Sequence, residues 1–435
     1  MKNKHEQQLS RRSLLRGVGL GAAGLALGKF SWQPASAAVS AQAIERLPRF
    51  TGPQANPYWN AAGPYVTYPQ KLPLVRLTDR PVQLETPRHY FTQVFTPNEA
   101  MFVRYHLPGE PNNVDLSTWR LQVDGQVNKP LSLSMADLLS QFEPAQVTAV
   151  LQCSGNSRSY FQPRVAGGQW GNGAMANALW TGVRLGDLLK AAGVKSGAVQ
   201  IQFQGLDFGK GPKGYGSHAF MKSWDVNDPA LEQAIVAYSM NGEPMPMLNG
   251  FPTRMVFPGK FATYWVKHVT WIRLLDHEDN NFWMDKAYKI PDTPNGATTP
   301  EAVAQGKVNM VPIGTVELPV RSFIISPDGS VKIPAGLPIT VCGIAFSGTG
   351  PVNKVEFSAD DGKTWAPAQL GEDHGPYSFR SWQMRWTPPN AGDYVLAVRA
   401  TDAKGNVQPD KAIWNPGGFL LNNILRQPLV AGPAA

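Results

Sequence analysis

The chain is poor in cysteine, with only Cys153 and Cys342 among its 435 residues. Two thiols exclude a disulfide-rich scaffold, and neither lies in a C-x-x-C-H haem attachment. A zinc site normally takes three or four Cys, His, Asp or Glu ligands at close spacing, and no such cluster is visible. Any role for the thiols must therefore rest on each one separately.

Long apolar runs and clusters of one charge are scarce as well. No stretch beyond residue 37 is long and apolar enough to cross a membrane. The formal charge is +8, but residues 1–37 contribute +5 of it, which leaves about +3 for the rest. No run of lysine or arginine follows, so the sequence lacks the electrostatic signature of nucleic-acid binding.

The first 37 residues have the pattern of an export signal. Arg11 and Arg12 precede a weakly apolar Gly/Ala/Leu stretch, and Ala35-Ser36-Ala37 offers a cleavage site. This pattern predicts a twin-arginine signal peptide, which exports folded proteins to the periplasm. The alternative is a basic amphipathic helix that stays on the mature protein.

The remaining residues divide into three parts and predict an α+β chain. Residues 38–85 are rich in Pro, Tyr and Gly and predict an extended N-terminal arm. Residues 86–310 alternate strands with short helices, one capped by Ser134 and one closed by Gly193. Residues 311–430 have short strands separated by turns such as Asp361-Gly362, which is typical of an immunoglobulin-like sandwich.

Cys153 lies in an unusual setting for a structural cysteine. The apolar run 147–151 leads it into the polar turn Ser154-Gly155-Asn156-Ser157, and Arg158 follows. Cys342 alternates with Ile344 and Phe346 in a predicted strand and resembles a buried core thiol. Because the two lie in different predicted domains, we expect no disulfide between them. A free thiol kept through export is hidden or bound to a metal.

Scattered cations accompany Cys153 in the same part of the chain. Arg104 and His106 share a face if their segment is a strand, and Asp207, Arg254 and Lys267 lie near strand ends. A Cys–His hydrolase needs one activating histidine and leaves several of these cations without a role. The set suits a large anionic cofactor that brings its own metal ligands.

Several segments in the same order resemble the sulfite oxidase family of molybdenum enzymes, and most closely its bacterial periplasmic sulfite dehydrogenases. The matching segments are "TPNEAMFVRYH", "LQCSGNSRSYF", "GGQWGNGAMANALWTGVRLGDLL", "AYSMNGEPMPMLNGFPTRMVFPG", "YWVKHVTWI", "FWMDKAY", "FSADDGKTW", "SFRSWQMRW" and "GNVQPDKAIWNPGGF". The resemblance implies a molybdopterin-binding domain at 86–310 and a dimerisation-type sandwich at 311–430.

The resemblance also implies a molybdopterin cofactor, with Cys153 as the protein ligand to molybdenum. The implied cofactor-binding residues are Phe102, Val103, Arg104, Tyr105, His106, Cys153, Asp207, Asn249, Arg254, Trp265, Val266 and Lys267. Tyr105 stands where the animal enzymes have asparagine, and Asn249 where they have histidine. Both replacements keep the ability to hydrogen-bond, so we expect the cofactor to bind.

The implied reaction is oxidation of sulfite to sulfate by oxo transfer from Mo(VI), with electrons leaving singly to a periplasmic cytochrome c. Arg104 and Arg158 would hold the substrate oxygens, Trp170 would wall the pocket, and Tyr288 would hydrogen-bond the substrate. Gly417 occupies the position of a vertebrate arginine, so the anion site has one cation fewer. We expect no haem in this chain.

Two other functions stay open at this point. A sulfane dehydrogenase of a thiosulfate-oxidising system would use the same scaffold. A non-catalytic exported binding protein built on the sandwich would need no metal. The acceptor cytochrome could be a bound subunit, and the sandwich could support a homodimer.

Overall fold

The computed structural model describes residues 65–212 and 214–433. The predicted signal peptide and the first part of the predicted arm lie outside the described residues. Among the helices that are described, none is both long enough and apolar enough to span a bilayer.

Strands dominate the first region, and its α-helices are short. In chain order the strands are β1 (Tyr65–Val66), β2 (Leu74–Asp79), β3 (Val82–Glu85), β4 (Val103–Arg104), β5 (Leu121–Gly125), β6 (Leu131–Leu133), β7 (Pro144–Gln152), β8 (Met175–Arg184), β9 (Gln200–Lys210), β10 (Ser217–Asp225), β11 (Ile235–Met240), β12 (Glu243–Pro244), β13 (Arg254–Val256), β14 (Trp271–Leu275), β15 (Lys289–Pro291) and β16 (Met310–Pro312). The α-helices are α1 (Met135–Gln141), α2 (Leu185–Ala192), α3 (Phe282–Asp285) and α4 (Pro300–Ala304).

Two larger sheets build this region and position the loops of the site. One has the strand order β10-β9-β14-β5-β6, and the other the order β12-β11-β8-β7 with β13 also paired to β11. Strand β14 runs parallel to β5, while the other pairs in these sheets are antiparallel. The alternation of strands with short helices is the arrangement that the sequence predicts.

The predicted extended arm is wrong for the part that the structure describes. Strands β1, β2 and β3 pair with one another and with β4 in a four-stranded sheet. Leu74, Val82 and Leu84 from this segment pack against Val103 and Tyr105 in a small apolar core. The Pro- and Tyr-rich composition conceals these alternating apolar positions, which bury one face of the hairpin.

The C-terminal region is a two-sheet sandwich, as the sequence predicts. Its strands are β17 (Arg321–Ser326), β18 (Ile333–Pro334), β19 (Ile339–Phe346), β20 (Val352–Ser358), β21 (Ala366–Pro367), β22 (Gln369–Leu370), β23 (Arg380–Trp386), β24 (Gly392–Asp402) and β25 (Arg426–Gly432). The sheet orders are β17-β19-β23-β22 and β18-β25-β24-β20-β21. Asp361 and Gly362 both have positive φ in the turn after β20, which fits the predicted hairpin.

Strands β17 and β19 are covered on both faces and join the two regions. Ile324 and Val341 belong to the core between the sandwich sheets. Phe323, Ile344 and Phe346 belong instead to the large core of the first region. The sandwich therefore packs against the first region through a shared apolar core.

The two cysteines are both free, which confirms the prediction that they form no disulfide. Cys153 is buried, but Cys342 is only half-buried, so the prediction of an ordinary core thiol is wrong for Cys342. Cys342 shares its face with Ile344 and Phe346, but it follows the exposed Thr340 near the start of β19, where the apolar cover is incomplete.

The cap of α1 gives a first test of the fold. Ser134 Oγ accepts a hydrogen bond from the Asp137 amide at 3.1 Å, and the Asp137 carboxylate accepts one from the Ser134 amide at 2.9 Å. Ser134→Ala leaves the Asp137 amide without its side-chain partner. The variant is expected to lower the free energy of unfolding, measured by urea denaturation, by about 1 kcal/mol. Ser140→Ala on the same helix removes only a bond to the Ala136 carbonyl and is the control. Equal losses in the two variants would contradict a capping role.

Candidate functional site

Cys153 lies at the point where β7 ends in a tight turn. Its amide donates to the Ala174 carbonyl at 2.9 Å, and its carbonyl accepts from the Asn156 amide at 2.9 Å. The Asn156 side chain accepts from the Ala174 amide at 3.0 Å. The turn is thus bonded to the loop before β8, and Cys153 keeps 7% of its surface exposed.

A cavity opens beside Cys153. Eight of the residues predicted for the site line it: Phe102, Arg104, His106, Cys153, Asn249, Arg254, Trp265 and Lys267. The sequence reasoning missed four others, which are Leu151, Phe220, Ala262 and Thr263. Three of the four lie close in sequence to a predicted residue: Leu151 lies two residues before Cys153, and Ala262 and Thr263 lie just before Trp265. Their position in the sequence could therefore have indicated them. Phe220 comes from β10 and gave no signal.

The segment 102–106 is split by strand alternation. Phe102, Arg104 and His106 line the cavity, as expected for residues two apart in an extended segment. Val103 and Tyr105 belong to the small core on the opposite side. The side chains of Val103 and Tyr105 therefore face away from the cavity, and the contact of these two residues with the cofactor stays a prediction.

Tyr105 has a hydrogen-bond partner away from the cavity. Its hydroxyl lies 2.7 Å from His268 Nε2, and His268 Nδ1 lies 2.6 Å from the Phe251 carbonyl. Because a carbonyl only accepts, Nδ1 carries the proton and the Tyr105 hydroxyl donates to Nε2. Burial lowers the pKa of His268 to about 3, which keeps this imidazole neutral.

Asn249 and Arg254 form one braced corner of the cavity. Asn249 accepts from Lys71 Nζ at 2.6 Å and donates to the Phe102 carbonyl at 3.0 Å. Arg254 donates to the carbonyls of Asn249 and Trp265 at 2.9 and 3.1 Å. Lys71 is buried and was missed, because nothing around it in the sequence points to the site.

Asp207 is a buried carboxylate without a hydrogen-bond partner. It is 1% exposed, and neither of its oxygens has a donor within the described residues. Burial raises the pKa of Asp207, and the nearby Lys267 opposes that shift. Lys267 itself donates to the Arg104 carbonyl at 2.6 Å, and burial lowers its pKa while Asp207 opposes that shift.

Arg104, Tyr288 and Arg158 come together at the other end of the site. Arg104 Nη2 donates to the Tyr288 hydroxyl at 3.4 Å, and its buried Nη1 has no partner among the residues that the structure describes. Arg158 donates to the carbonyls of Gly168 and Gly417 at 3.1 and 3.0 Å. Burial lowers the pKa of Arg158, and its electrostatic neighbours include Cys153, Tyr288 and Arg104.

Two glycines make room for the Arg158 side chain. A Cβ on Gly155 would lie 2.4 Å from Arg158 Nη2, and one on Gly418 would lie 2.8 Å from its Cγ. Gly418 also has a φ of +58°, which side chains rarely adopt. The glycines near Cys153 and in "WNPGGF" therefore leave space for the Arg158 side chain, in addition to allowing the chain to turn.

Two predicted contacts are not made by side chains at the cavity. Trp170 is fully buried and packs edge-on against Phe102 at 6.4 Å, so it lies behind a residue that lines the cavity, and its role as a wall of the pocket stays a prediction. Val266 is 1% exposed and belongs to the large core. Arg380 donates to the carbonyls of Gly371 and Val352 inside the sandwich.

The charge of the cavity favours an anionic ligand. Arg104, Arg254 and Lys267 line it, and Arg158 lies close by, while the neighbouring carboxylate is Asp207. Among the residues that the structure describes, no three His, Cys, Asp or Glu side chains converge on one point. A metal bound to Cys153 would thus need further ligands from a cofactor.

Comparisons with known proteins agree with this chemistry. Residues 106–283 match the oxidoreductase molybdopterin binding domain, and residues 313–430 match the Mo-co oxidoreductase dimerisation domain. The sulfite oxidase of Gallus gallus is 35% identical over 382 residues, which cover 83% of this chain and 79% of the relative. The chain belongs to the sulfite oxidase family. It is therefore a molybdenum oxidoreductase with a molybdopterin cofactor.

Further similarities extend over most of the chain. The mitochondrial sulfite oxidase of Rattus norvegicus is 34% identical over 382 residues, covering 84% of this chain and 67% of the relative. The sulfane dehydrogenase SoxCD from Paracoccus pantotrophus shares the fold, with a TM-score of 0.68 and 23% identity over 90% of this chain and 98% of that one.

The orphaned polar atoms of the site fit a molybdopterin. The unpaired Asp207 oxygens suit the N–H donors of a pterin ring, and the cations Arg254 and Lys267 suit its phosphate. The buried Arg254 Nε, Arg104 Nη1 and His106 Nδ1 have no partner in the described residues and can each bond a ligand in the cavity. The free thiol of Cys153 is a suitable soft donor for molybdenum.

Cys153→Ser tests the ligand assignment. A hydroxyl cannot match the electron donation of a thiolate, so the variant is expected to keep its fold and its pterin but lose nearly all sulfite oxidation. The measurements are molybdenum and pterin content, thermal melting and sulfite-dependent reduction of cytochrome c. Cys342→Ser, with its half-buried thiol in β19, is the control and should stay active. Near-normal turnover in molybdenum-loaded Cys153→Ser protein would contradict the assignment.

Proposed function

We propose that this enzyme oxidises sulfite to sulfate. The observation that carries the proposal is the meeting of Arg104, Arg158 and Tyr288 on one side of Cys153. Sulfite is a compact oxyanion, and two guanidinium groups with one hydroxyl match its three oxygens. All three side chains are half-buried or buried, so a bound anion would be partly shielded from solvent.

The protonation states of the pocket support the binding of an anion. Burial raises the pKa of Tyr288, so its hydroxyl stays protonated at neutral pH and can donate to a substrate oxygen. Burial, together with Arg104, Lys267 and Lys222, lowers the pKa of His106, which is therefore neutral. The positive charge that a substrate meets thus comes from Arg104 and Arg158.

The aromatic side chains around Tyr288 limit the entry of water. The Tyr288 ring stacks on Phe419 at 5.9 Å, and His106 stacks on Phe220 at 3.9 Å with Trp283 at its edge. Fewer waters strengthen each charge–charge contact with a bound anion. The cofactor, when bound, supplies the two-electron oxidation and the oxygen transfer, while the residues named here bind and orient the substrate.

Oxidation of a sulfane sulfur is a second candidate, and the loop 415–419 favours it. Gly417 takes the place of a cation, and the Phe419 ring lies against Arg158, 5.3 Å from its guanidinium carbon. An apolar ring in that position tolerates a less charged sulfur substrate better than a third cation does. Parallel assays with sulfite and with a protein-bound or organic persulfide decide between the two substrates.

The cellular setting is part of the proposal. The twin-arginine pattern of residues 1–37 supports export to the periplasm, where a c-type cytochrome would accept the electrons one at a time. The dimerisation domain at 313–430 supports a homodimer. Light scattering of the purified protein and cytochrome c reduction in periplasmic extracts test these two points.

Arg158→Gln tests the anion site. The substitution removes a charge-assisted bond worth about 1.5–3 kcal/mol, so the KM for sulfite should rise by roughly tenfold or more. Steady-state kinetics and molybdenum analysis on one preparation measure this. Arg120→Gln removes another arginine tied to two carbonyls, those of Ser117 and Trp119, and should leave the KM unchanged. If the KM of Arg158→Gln is normal while its cofactor content falls, Arg158 binds the cofactor and not the substrate.

Tyr288→Phe separates hydrogen bonding from packing. It removes only the hydroxyl, and the ring keeps its stacking on Phe419. If the hydroxyl bonds the substrate, kcat/KM should fall by roughly tenfold or more with an unchanged melting temperature. Tyr394→Phe removes a hydroxyl bonded to the Asn390 carbonyl in the sandwich and serves as the control. Kinetics equal to those of the control would place Tyr288 outside the reaction.

A further inference from the structure

Arg321 reaches from the sandwich into the turn that follows Cys153. It is the first residue of β17 and is 1% exposed. Its Nη2 donates to Ser157 Oγ at 2.6 Å and to Asn172 Oδ1 at 2.8 Å. Ser157 directly precedes Arg158, so the contact lies one residue from the proposed anion-binding side chain.

A buried arginine in this position is unfavourable for stability. Within the described part of the chain, the buried Nε and Nη1 of Arg321 have no hydrogen-bond partner, and no carboxylate forms a salt bridge with this residue. Burial lowers its pKa to about 10. An apolar residue of similar volume would avoid the desolvation of an unpaired charge. Packing alone therefore does not explain an arginine here.

The turn held by Arg321 has an uncommon backbone conformation. Ser157 has a φ of +67°, which residues other than glycine seldom adopt. Its amide donates to the Gly171 carbonyl at 2.7 Å, and its hydroxyl donates to Asn172 Oδ1 at 2.6 Å. This left-handed residue reverses the chain and sets the direction in which Arg158 leaves it.

The opposite side of the turn is fixed by a buried carboxylate. Glu85 accepts from the amides of Gly171 and Gly173 at 2.9 and 2.8 Å, which holds Asn172 between them. Ser157 and Asn172 thus lie between Glu85 of the first region and Arg321 of the sandwich. Removing Arg321 leaves the Ser157–Asn172 bond possible but removes the donor that orients both oxygens.

We propose that Arg321 is a positioning residue that fixes Arg158 for anion binding through Ser157 and Asn172. The sandwich then contributes to substrate affinity through this contact, in addition to its packing. The inference rests on the proposed function, in which Arg158 holds an oxygen of the substrate.

Arg321→Met in the full-length, molybdenum-loaded enzyme tests this inference. The KM for sulfite should rise on the order of tenfold while kcat changes by less than about threefold, because misplacing a binding group affects affinity first. Molybdenum content should be unchanged and the melting temperature equal or higher. Hydrogen exchange of the peptide covering residues 153–161 should become faster. Arg321→Lys, which keeps the charge on a shorter reach, should give an intermediate KM.

Arg380→Met is the matched control, because Arg380 also lies in the sandwich and its partners, the carbonyls of Gly371 and Val352 and the Asp373 carboxylate, lie there too. It should leave KM and the exchange of residues 153–161 unchanged. Unchanged KM and exchange in Arg321→Met, loss of molybdenum, or a rise in KM that only accompanies a lower melting temperature would each overturn the inference. If Arg321→Met does not fold, Arg321→Lys decides by the same measurements.

The outcome can be separated from that of the proposed function. If the wild-type enzyme does not oxidise sulfite, the proposed function fails, but the exchange of residues 153–161 still tests whether Arg321 holds the turn. Faster exchange in Arg321→Met than in Arg380→Met would then support the positioning role, and equal exchange would overturn it.

Discussion

Uncompensated positive charge next to Cys153 is the constraint on which the rest of the site depends. Burying a cation has a desolvation cost of several kcal/mol unless other groups bond to it. Here the partners are mostly backbone carbonyls: Arg254 and Arg158 each donate to two, and Lys267 donates to one. Carbonyls satisfy the N–H groups without cancelling the charge, so the cavity stays positive and ready for a phosphate or an oxyanion.

This way of holding cations explains why two domains are needed to form one site. The carbonyls that hold Arg158 come from Gly168 in the first region and from Gly417 in the sandwich. Strands β17 and β19 are buried on both faces, which fixes the sandwich against the first region. Phe419 then lies against both Tyr288 and Arg158. The sandwich is therefore part of the wall of the site.

Much of the site could be predicted because residue types follow the needs of the ligand. The sequence shows the thiol in a polar turn, the cations at strand ends, and the alternation of Arg104 with His106. Eight of the residues predicted from these features and from the family resemblance line the cavity. The incorrect predictions have one physical origin. The sequence shows which side chains can form hydrogen bonds, but it does not show which partner lies near each of them in the fold. Tyr105, for example, can hydrogen-bond a ligand, but in the fold its hydroxyl donates to His268, away from the cavity.

The sequence by itself determined the α+β organisation, the turn chemistry around Ser134, Gly193 and Asp361-Gly362, and the positions that carry thiol and charge. These properties depend on residues that are near one another in sequence. They can therefore be predicted from the spacing of apolar residues and from the backbone preferences of each residue type. The tertiary structure decided that 65–85 forms a sheet, that Trp170 lies in the core, and that Arg321 reaches Ser157. Each of these is a contact between distant segments. Its energy depends on burial and on hydrogen-bond geometry, which exist only once the chain has folded.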